Sequence, residues 1–354
     1  MSRTIMIMAG GTGGHIYPGL AVADVLHAQG WKVIWLGVPG SMEADLVPKA
    51  GYEMAWVNFS GVRGKGLLRK LALPFNLLRA FGQCLSAMLR HRPDVVLGMG
   101  GYVTVPGGLM ASLLLRPLVI HEQNSVAGMS NKLLAKFADR VLSGFPDVLP
   151  KAEWIGNPLR DSIAKLSYPG ERYAARTSHH LNVLVMGGSL GAQVLNSCMP
   201  QALVMMPADA RPNVVHQSGR QHFEATQTAY RETRVEADVR PFLDNMAECY
   251  SWADLVICRA GALTVSELAA AGVASVLVPY PFAVDDHQTA NAAFLVEHGA
   301  AVLMPQDKMT PLAMSQLLAE MTRERVRDMA IAARGVAHPA AAERVAQVCK
   351  ELAA

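Results

Sequence analysis

Three glycine-rich turns in this sequence each follow a short apolar run and combine free backbone amides with polar side chains. They read Gly10-Gly11-Thr12-Gly13-Gly14-His15, Gly98-Met99-Gly100-Gly101-Tyr102 and Gly187-Gly188-Ser189-Leu190-Gly191-Ala192. Glycine lets the backbone approach a ligand closely, and a helix that begins directly after such a turn points its N–H groups at an anion. The turns therefore predict binding of a diphosphate or a similar anion. Tight turns between strand and helix without a ligand are the alternative.

His15 is the residue of the first turn that could do chemistry. It follows the glycines where a helix is expected to begin. A neutral imidazole at that position could act as a general base near neutral pH. A capping or packing histidine is the alternative. The turn is not a P-loop, because no Gly-Lys-Ser/Thr follows, and it does not fit the GxGxxG spacing expected of a nicotinamide-dependent oxidoreductase.

Three further polar segments follow predicted strands or open predicted helices. His121-Glu122-Gln123-Asn124 follows a short strand, where the four side chains could meet a ligand or form internal hydrogen bonds. Thr264 and Glu267 have the spacing of a capping box. Glu267 could instead accept hydrogen bonds from ribose hydroxyls, as acidic residues do in dinucleotide folds. The amide side chains of residues 285–291 could contact sugar hydroxyls from a helix start.

The sequence offers no pattern for a metal or a disulfide framework. It has no Asp-x-Asp pair, and its five cysteines are widely spaced with no CxxC. We therefore expect no metal and no cofactor, and helix N-termini and backbone N–H groups would have to hold the charge of a departing diphosphate. A formal net charge of +3 on 354 residues gives no support for a nucleic-acid partner. The cysteine usage fits a reducing cytoplasm.

Short β-branched runs alternate with longer helical patterns along the whole chain. The predicted strands are Thr4–Met8, Lys32–Leu36, Asp94–Leu97, Leu118–Ile120, Arg140–Leu142, Asn182–Met186, Asn213–Gln217, Leu255–Cys258 and Ser275–Val278, and the predicted helices include Pro18–Gln29, Ser266–Ala271 and Ala340–Leu352. Such alternation predicts an α/β fold with parallel sheets covered on both faces. Because 354 residues exceed one ordinary core, we expect two similar doubly wound domains, residues 1–160 and 161–337. Ligands of such sheets bind at the carboxyl ends of the strands.

Two apolar stretches raise the question of contact with a membrane. Residues 66–92 mix leucines and phenylalanines with basic residues, which suits an anionic bilayer surface, with Arg69, Lys70 and Phe75 as the expected contact. An ordinary helix with one buried face is the alternative. Val95–Leu115 is free of charge for long enough to suggest a membrane span. Its glycines and Pro106 favour a strand, a turn and a buried helix instead.

Taken in order, the motifs resemble those of the MurG family of bacterial glycosyltransferases. The resemblance covers nearly the whole chain and is carried by Gly10–Gly19, Gly98–Tyr102, His121–Asn124, Gly156–Arg160, Gly187–Ala192, Gly261–Glu267 and Pro279–Ala292. It implies a GT-B fold of two Rossmann-like domains with a cleft between them. It also implies inverting, metal-independent transfer of N-acetylglucosamine from UDP-GlcNAc to the C4 hydroxyl of undecaprenyl-diphospho-N-acetylmuramoyl-pentapeptide. That step belongs to peptidoglycan synthesis at the cytoplasmic face of the bacterial inner membrane.

The resemblance further implies which residues act where. His15 would be the catalytic base, and the first domain would bind the acceptor. Independently of the resemblance, the amphipathic pattern of Ala340–Leu352 predicts that residues 338–354 form a helix that packs back on that domain. The donor-binding residues would be Thr12, Gly13, Gly14, Asn124, Arg160, Ser189, Leu243, Ala262, Leu263, Thr264, Val265, Ser266, Glu267 and Gln288. Glu267 would hold the ribose, and the backbone around Leu243 the uracil. Gly100, Gly101, Tyr102 and His121 would lie on the acceptor side. The alternatives are another GT-B glycosyltransferase with a lipid acceptor, or a non-catalytic membrane scaffold with a nucleotide fold.

Overall fold

The computed structural model describes residues 2–59, 73–188 and 191–353. These residues form two compact units. The N-terminal unit contains residues 1–160 and 338–354, and the C-terminal unit contains residues 161–337. Each unit is built around one parallel β-sheet.

The N-terminal unit has a seven-stranded sheet with the order β3-β2-β1-β4-β5-β6-β7. Its strands are β1 (Thr4–Ala9), β2 (Lys32–Gly37), β3 (Glu53–Trp56), β4 (Val95–Gly100), β5 (Leu118–Glu122), β6 (Arg140–Ser143) and β7 (Glu153–Trp154). Its first helices are α1 (Gly13–Ala28), α2 (Met42–Lys49), α3 (Leu73–His91), α4 (Thr104–Leu113) and α5 (Met129–Leu134). Strand β1 is apolar from Ile5 to Ala9, because both of its faces are buried there: Ile5 and Ile7 pack on one side, and Met6 and Met8 on the other.

The C-terminal unit has a six-stranded sheet with the order β10-β9-β8-β11-β12-β13. Its strands are β8 (Asn182–Met186), β9 (Asn213–Gln217), β10 (Asp238–Arg240), β11 (Leu255–Cys258), β12 (Ala274–Leu277) and β13 (Ala301–Leu303). Its helices are α6 (Asp161–Ala164), α7 (Pro169–Ala174), α8 (Gln193–Val204), α9 (Phe223–Thr233), α10 (Met246–Trp252), α11 (Ala262–Ala271), α12 (His287–Glu297), α13 (Pro311–Glu320) and α14 (Arg323–Gly335). The strand order reverses between β8 and β11, which opens a crevice at their carboxyl ends.

The last helix, α15 (Ala341–Leu352), belongs to the N-terminal unit. Its apolar face buries Val345, Val348 and Cys349 in the same core layer as Val22 and Leu26 of α1. The opposite face is charged, and Arg344 donates to Glu153 of β7. The amphipathic pattern of this segment thus folds as a helix that completes one face of the N-terminal sheet.

Several element boundaries differ from the predicted ones. Strand β4 continues to Gly100 and β5 to Glu122, so glycines and polar residues predicted to lie in turns are paired strand residues. Helix α1 begins at Gly13, five residues before the predicted start at Pro18, so Pro18 lies inside the helix. The short strands β3, β7, β10 and β13 were absent from the sequence prediction, since runs of two to four residues carry little periodicity.

The charge-free stretch from Val95 to Leu115 forms strand β4, a turn and helix α4, as predicted. Most of α4 is buried, including Pro106, Gly107 and Gly108. Within the described residues, no helix combines the length and apolarity needed to cross a bilayer.

Buried histidines make the stability of the fold depend on pH. His216 of β9 is fully buried and contacts the Tyr230 hydroxyl at 2.9 Å and Asn196 Oδ1 at 3.0 Å. Burial lowers its pKa to about 3. In the unfolded chain the pKa is about 6.5. Below pH 6.5 the unfolded state therefore binds a proton that the folded state does not accept until near pH 3.

We expect the free energy of unfolding to fall as the pH is lowered from 6.5. One such histidine should contribute about 2 kcal/mol of this loss by pH 5. Urea unfolding at pH 7.5 and at pH 5 measures the change. The control is His216→Gln, whose amide can accept from Tyr230 and donate to Asn196 without titrating. An unchanged pH dependence in that variant would exclude His216 as a source of the loss.

Candidate active site and donor pocket

His15 lies in the first turn of α1, with Thr12 as the extended N-cap residue. The imidazole is half-buried against the backbone of Gly100, where a Cβ atom would stand 2.8 Å from its Nδ1 and Cε1 atoms. Gly100 also has a φ of +107°, which a residue with a side chain rarely adopts. The Nδ1 atom lies 2.8 Å from Oε1 of Gln123. The first two glycine turns are thus adjacent, and the second provides room for the His15 ring.

His121 is fully buried at the end of β5. Its Nε2 lies 2.9 Å from the carbonyl oxygen of Gly156, and its Nδ1 lies 3.1 Å from Nε2 of Gln123. Burial is the main cause that lowers the pKa of His121, to about 4, so the ring is neutral at neutral pH. His121 was predicted to lie on the acceptor side; in the structure its buried ring bonds neighbouring protein groups and is linked to His15 through Gln123.

The other side chains of this segment also bond internally. Glu122 accepts from the backbone N–H of Asn124 at 3.0 Å, and from Gly128 N–H and Asn131 Nδ2 at 2.9 Å each. Asn157 donates to the carbonyl oxygen of Gln123 at 3.0 Å. Internal hydrogen bonding, the alternative raised for this segment, therefore holds for His121, Glu122 and Gln123. Asn124 is half-buried at its end.

A buried carboxylate that the sequence prediction missed supports the first glycine turn. Glu43, in the first turn of α2, is fully buried and accepts from Gly11 N–H at 3.2 Å and Val38 N–H at 3.3 Å. Gly101 has a φ of +93° and packs directly on the carbonyl group of Gly10. Tyr102 lies beside Gly11, and burial, followed by the Glu43 charge, raises the pKa of its hydroxyl. An acidic residue at a helix start is so common that Glu43 carried no distinguishing signal.

Further predicted residues of the N-terminal unit lie on its surface. Gly13 and Gly14 open α1 behind the exposed Thr12. The exposed Arg160 places its guanidinium 5.8 Å from the centre of the Tyr17 ring. Phe75 is 78% exposed on α3. Arg69, Lys70 and Ser189 lie outside the described residues.

The C-terminal unit contains a cavity of about 750 Å³ at the crevice between β8 and β11. It is lined by Gly187, Gly188, Gly191, Ala192, Gln193, Val194, Ser197, Arg259, Gly261, Thr264, Tyr280, Gln288 and Gln306. The N-termini of α8 and α11 both face the cavity. Helix α11 begins directly after Gly261, and α8 begins two residues after Gly191; both glycines line the cavity. Two helix N-termini with free N–H groups make an anion site.

Arg259 places a positive charge in this cavity. Its guanidinium donates to the carbonyl groups of Val278 and Pro279 at 3.1 Å and to Gln306 Oε1 at 2.7 Å. It also lies 5.4 Å from the centre of the Tyr280 ring. Burial lowers its pKa, but an arginine remains charged at neutral pH. The sequence prediction gave Arg259 no role, because the cavity is formed by four segments that are distant in sequence.

The segment from Ala262 to Glu267 is the start of α11, with Gly261 as its N-cap. Thr264 and Glu267 are therefore inside the helix, and the capping-box interpretation is wrong. Thr264 faces the cavity, and Leu263 and Ser266 are half-buried. The side chains of Ala262 and Val265 are buried in the unit, so these residues could contact a ligand through their backbone groups.

Glu267 and Leu243 are not among the described residues that line the cavity. Glu267 is half-buried, and its Oε2 accepts from the Tyr250 hydroxyl at 2.9 Å. Leu243 is buried just before α10. Gln288 lines the cavity and accepts from the N–H of Tyr280 at 2.9 Å. The described residues contain no group of three or more histidine, cysteine or acidic side chains that could hold a metal ion.

Two family models match the chain. Residues 5–143 match the N-terminal domain of glycosyltransferase family 28, and residues 182–346 match its C-terminal domain. A relative from Cupriavidus necator is 56% identical over 99% of this chain and 98% of its own length, and one from Azoarcus sp. is 58% identical over the same shares. Both are named UDP-N-acetylglucosamine–N-acetylmuramyl-(pentapeptide) pyrophosphoryl-undecaprenol N-acetylglucosamine transferase.

Solved structures agree with the family match. The crystal structure of MurG from Acinetobacter baumannii is 43% identical, covers 99% of both chains and superposes with a TM-score of 0.88. A glycosyltransferase of kitacinnamycin is 18% identical with a TM-score of 0.72, which shows the shared fold. The predicted α/β architecture of two Rossmann-like domains is thereby confirmed. The chain belongs to glycosyltransferase family 28 and, within it, to the MurG family of N-acetylglucosaminyltransferases.

Proposed function

We propose that this chain transfers N-acetylglucosamine from UDP-GlcNAc to the C4 hydroxyl of undecaprenyl-diphospho-N-acetylmuramoyl-pentapeptide, with inversion and without a metal. The observation that carries the proposal is the identity of 56–58%, over nearly the full length, to enzymes named for this transfer. The described site agrees with it chemically. One unit has a cationic cavity at two helix N-termini, and the other holds a half-buried histidine beside two glycine turns.

The cavity of the C-terminal unit is the proposed donor site. The diphosphate would lie against the N-termini of α8 and α11, with Arg259 adding a full positive charge. Glu267 would accept from the ribose hydroxyls, and Tyr250 would hold its carboxylate in place. The backbone at Leu243 would contact the uracil, and Gln288 the sugar. The expected contacts from Thr12, Gly13, Gly14, Asn124, Arg160 and Ser189 remain part of the proposal.

The proposed reaction is a single displacement. The oxygen of the acceptor C4 hydroxyl forms a bond to the anomeric carbon of the α-linked donor, and His15 takes the proton. The bond from that carbon to the β-phosphate oxygen breaks, and UDP leaves with the electron pair, which gives a β-1,4 linkage. Preorganised N–H groups and Arg259 stabilise the charge that develops on UDP. Gly100, Gly101 and Tyr102, next to His15, would face the acceptor.

A surface of exposed apolar side chains on the N-terminal unit is the proposed membrane contact. On α3, Phe75 is 78% and Leu78 is 70% exposed, and at the end of the neighbouring α4, Leu113 is 72% and Leu115 is 90% exposed. The basic residue Arg79 is exposed beside Leu78. Apolar side chains among cations suit the anionic cytoplasmic face of the inner membrane. The proposed contribution of Arg69 and Lys70 concerns residues outside those described.

Replacing Phe75 and Leu78 together by serine is expected to lower binding to anionic vesicles more than tenfold, since each side chain loses about 1.5–3 kcal/mol of apolar burial. Co-sedimentation with phosphatidylglycerol vesicles measures the bound fraction. Leu312→Ser is the matched control, because Leu312 is 53% exposed on α13 of the other unit. If the double variant sediments like the unmodified chain, this surface is not the contact.

The assay that tests the function measures UDP release from UDP-GlcNAc in EDTA, with and without a short-chain lipid-linked muramoyl-pentapeptide. Release that depends on the acceptor and survives EDTA is the expected result. Binding of UDP-GlcNAc without release would contradict the proposal. It would point to another lipid acceptor or to a non-catalytic membrane scaffold.

A further inference from the structure

A continuous line of hydrogen-bonding groups runs from the backbone of Gly156 to the imidazole of His15. The Gly156 carbonyl oxygen meets Nε2 of His121 at 2.9 Å. Nδ1 of His121 meets Nε2 of Gln123 at 3.1 Å. Oε1 of Gln123 meets Nδ1 of His15 at 2.8 Å. Each of the two histidines and the glutamine therefore shares a hydrogen bond with its neighbour.

The direction of each bond follows from two backbone carbonyl groups, which can only accept. Nε2 of His121 must carry a hydrogen because it faces the Gly156 oxygen. The Gln123 nitrogen also lies 3.0 Å from the carbonyl oxygen of His121, so the NH2 end of the amide is on that side. The amide oxygen must then face His15. These assignments rest on chemical valence and do not depend on which amide atom was placed as oxygen.

The state of His15 follows from these directions. An amide oxygen can only accept, so Nδ1 of His15 must donate to Gln123. In a neutral imidazole the other nitrogen then has the lone pair. In the N-terminal unit, none of the described residues donates a hydrogen bond to His15 Nε2. The basic nitrogen is therefore the one available to a substrate hydroxyl.

We propose that Gln123 is a positioning residue that holds His15 in the tautomer with a hydrogen on Nδ1 and a free lone pair on Nε2. The inference rests on the proposed function in one respect, because the tautomer serves catalysis only if His15 is the base. His121 sets the directions of the hydrogen bonds, because its ring is fully buried and neutral at neutral pH. Asn157 holds the Gln123 backbone through its donated bond to the carbonyl oxygen.

In this arrangement a neutral amide takes the position behind the histidine that a carboxylate occupies in a catalytic dyad. A carboxylate behind a histidine fixes its tautomer and also stabilises the imidazolium. The neutral amide of Gln123 fixes the tautomer alone. The cost of losing that control should therefore be smaller than the loss of His15 itself.

The first test is a direct observation of the tautomer in the unmodified protein. Long-range ¹⁵N–¹H correlation spectra of histidine-labelled protein at pH 8 distinguish the two neutral forms, and the signals that disappear in His15→Gln assign the ring. We expect His15 to show the hydrogen on Nδ1 and His121 to show it on Nε2. A His15 ring with the hydrogen on Nε2 would overturn the inference. This readout does not involve activity, so it stands apart from any failure of the proposed function.

The second test asks whether the tautomer matters to the reaction. Gln123→Met keeps the length of the side chain and removes its three hydrogen bonds, the one to His15 and the two to His121. We expect kcat to fall about 10–10²-fold with KM for UDP-GlcNAc unchanged, which is less than the full contribution of a general base. The His15 spectrum should change at the same time. The matched control is Gln83→Met, which removes a glutamine on α3 that accepts from Asn58 N–H. It should leave kcat and the His15 spectrum unchanged.

The outcomes of the second test distinguish the positioning role of Gln123 from the proposed catalytic role of His15. A Gln123→Met enzyme that loses the Nδ1–H tautomer but keeps its kcat would overturn the positioning role. If His15→Gln itself kept full turnover, the proposed base would be wrong, and the tautomer would remain a structural fact without that purpose.

Discussion

Alanine in place of His15 is expected to lower kcat about 10²–10⁴-fold, the usual contribution of one general base. The variant removes the group that would accept the proton of the acceptor hydroxyl, while the proposed donor cavity lies in the other unit and should keep its affinity for UDP-GlcNAc. KM for UDP-GlcNAc should therefore change little. Steady-state UDP release at saturating acceptor measures the effect.

The control for the His15 prediction is the folded state of the variant. The ring packs on Gly100 and bonds one side chain, Gln123, so its loss should leave the urea unfolding curve close to that of the unmodified chain. A correctly folded His15→Ala enzyme with full turnover would remove His15 from the proposed mechanism.

The largest expected effect on the proposed donor site is that of Gly191→Ala. Gly191 has a φ of +79°, and an added Cβ would overlap the carbonyl oxygen of Ser218. The left-handed backbone costs about 1–2 kcal/mol with a side chain, and the overlap adds about 1–3 kcal/mol. We expect a loss of about 2–5 kcal/mol in stability and a loss of UDP affinity of about tenfold or more, since Gly191 lines the cavity.

Gly188→Ala is the matched control in the same turn. Gly188 has a similar φ of +82°, but among the described residues, its chain neighbours aside, no atom lies within 4 Å of where its Cβ would be. It should cost only the backbone strain, about 1–2 kcal/mol. Urea unfolding and calorimetric titration with UDP measure both variants. Equal losses in the two would show that the contact with Ser218 contributes nothing.

The sequence predicted best those elements whose signal is local. Strands β8, β9 and β11 have the predicted bounds, because each contains an uninterrupted apolar run that includes valine. The glycine turns after β1 and β8 were found for the same reason. Strand β4 was cut short, because Gly98 was taken as a breaker, whereas its missing side chain lets Ile120 of the neighbouring strand pack close.

What the sequence could not predict depends on contacts between distant segments. His121 was placed at the correct strand end, but its buried ring bonds a carbonyl group 35 residues further along the chain. Gly156-Asn157 was interpreted as a break near the domain boundary, and it also supplies two of the groups that order Gln123 and His121. Glu43 and Arg259 are ordinary residues in their local sequence. Their roles arise when strands and turns from several parts of the chain meet.

Helix α15 has a consequence for the order in which the protein folds during synthesis. Residues 1–160 leave the ribosome before residues 161–337, yet one face of their sheet is closed by Val345, Val348 and Cys349, which are made after both. The C-terminal unit is continuous in sequence and can complete its own core earlier. Until α15 arrives, the apolar residues of α1 beneath it remain open to solvent and to other chains. The N-terminal unit can therefore complete its core only after the whole C-terminal unit has been made.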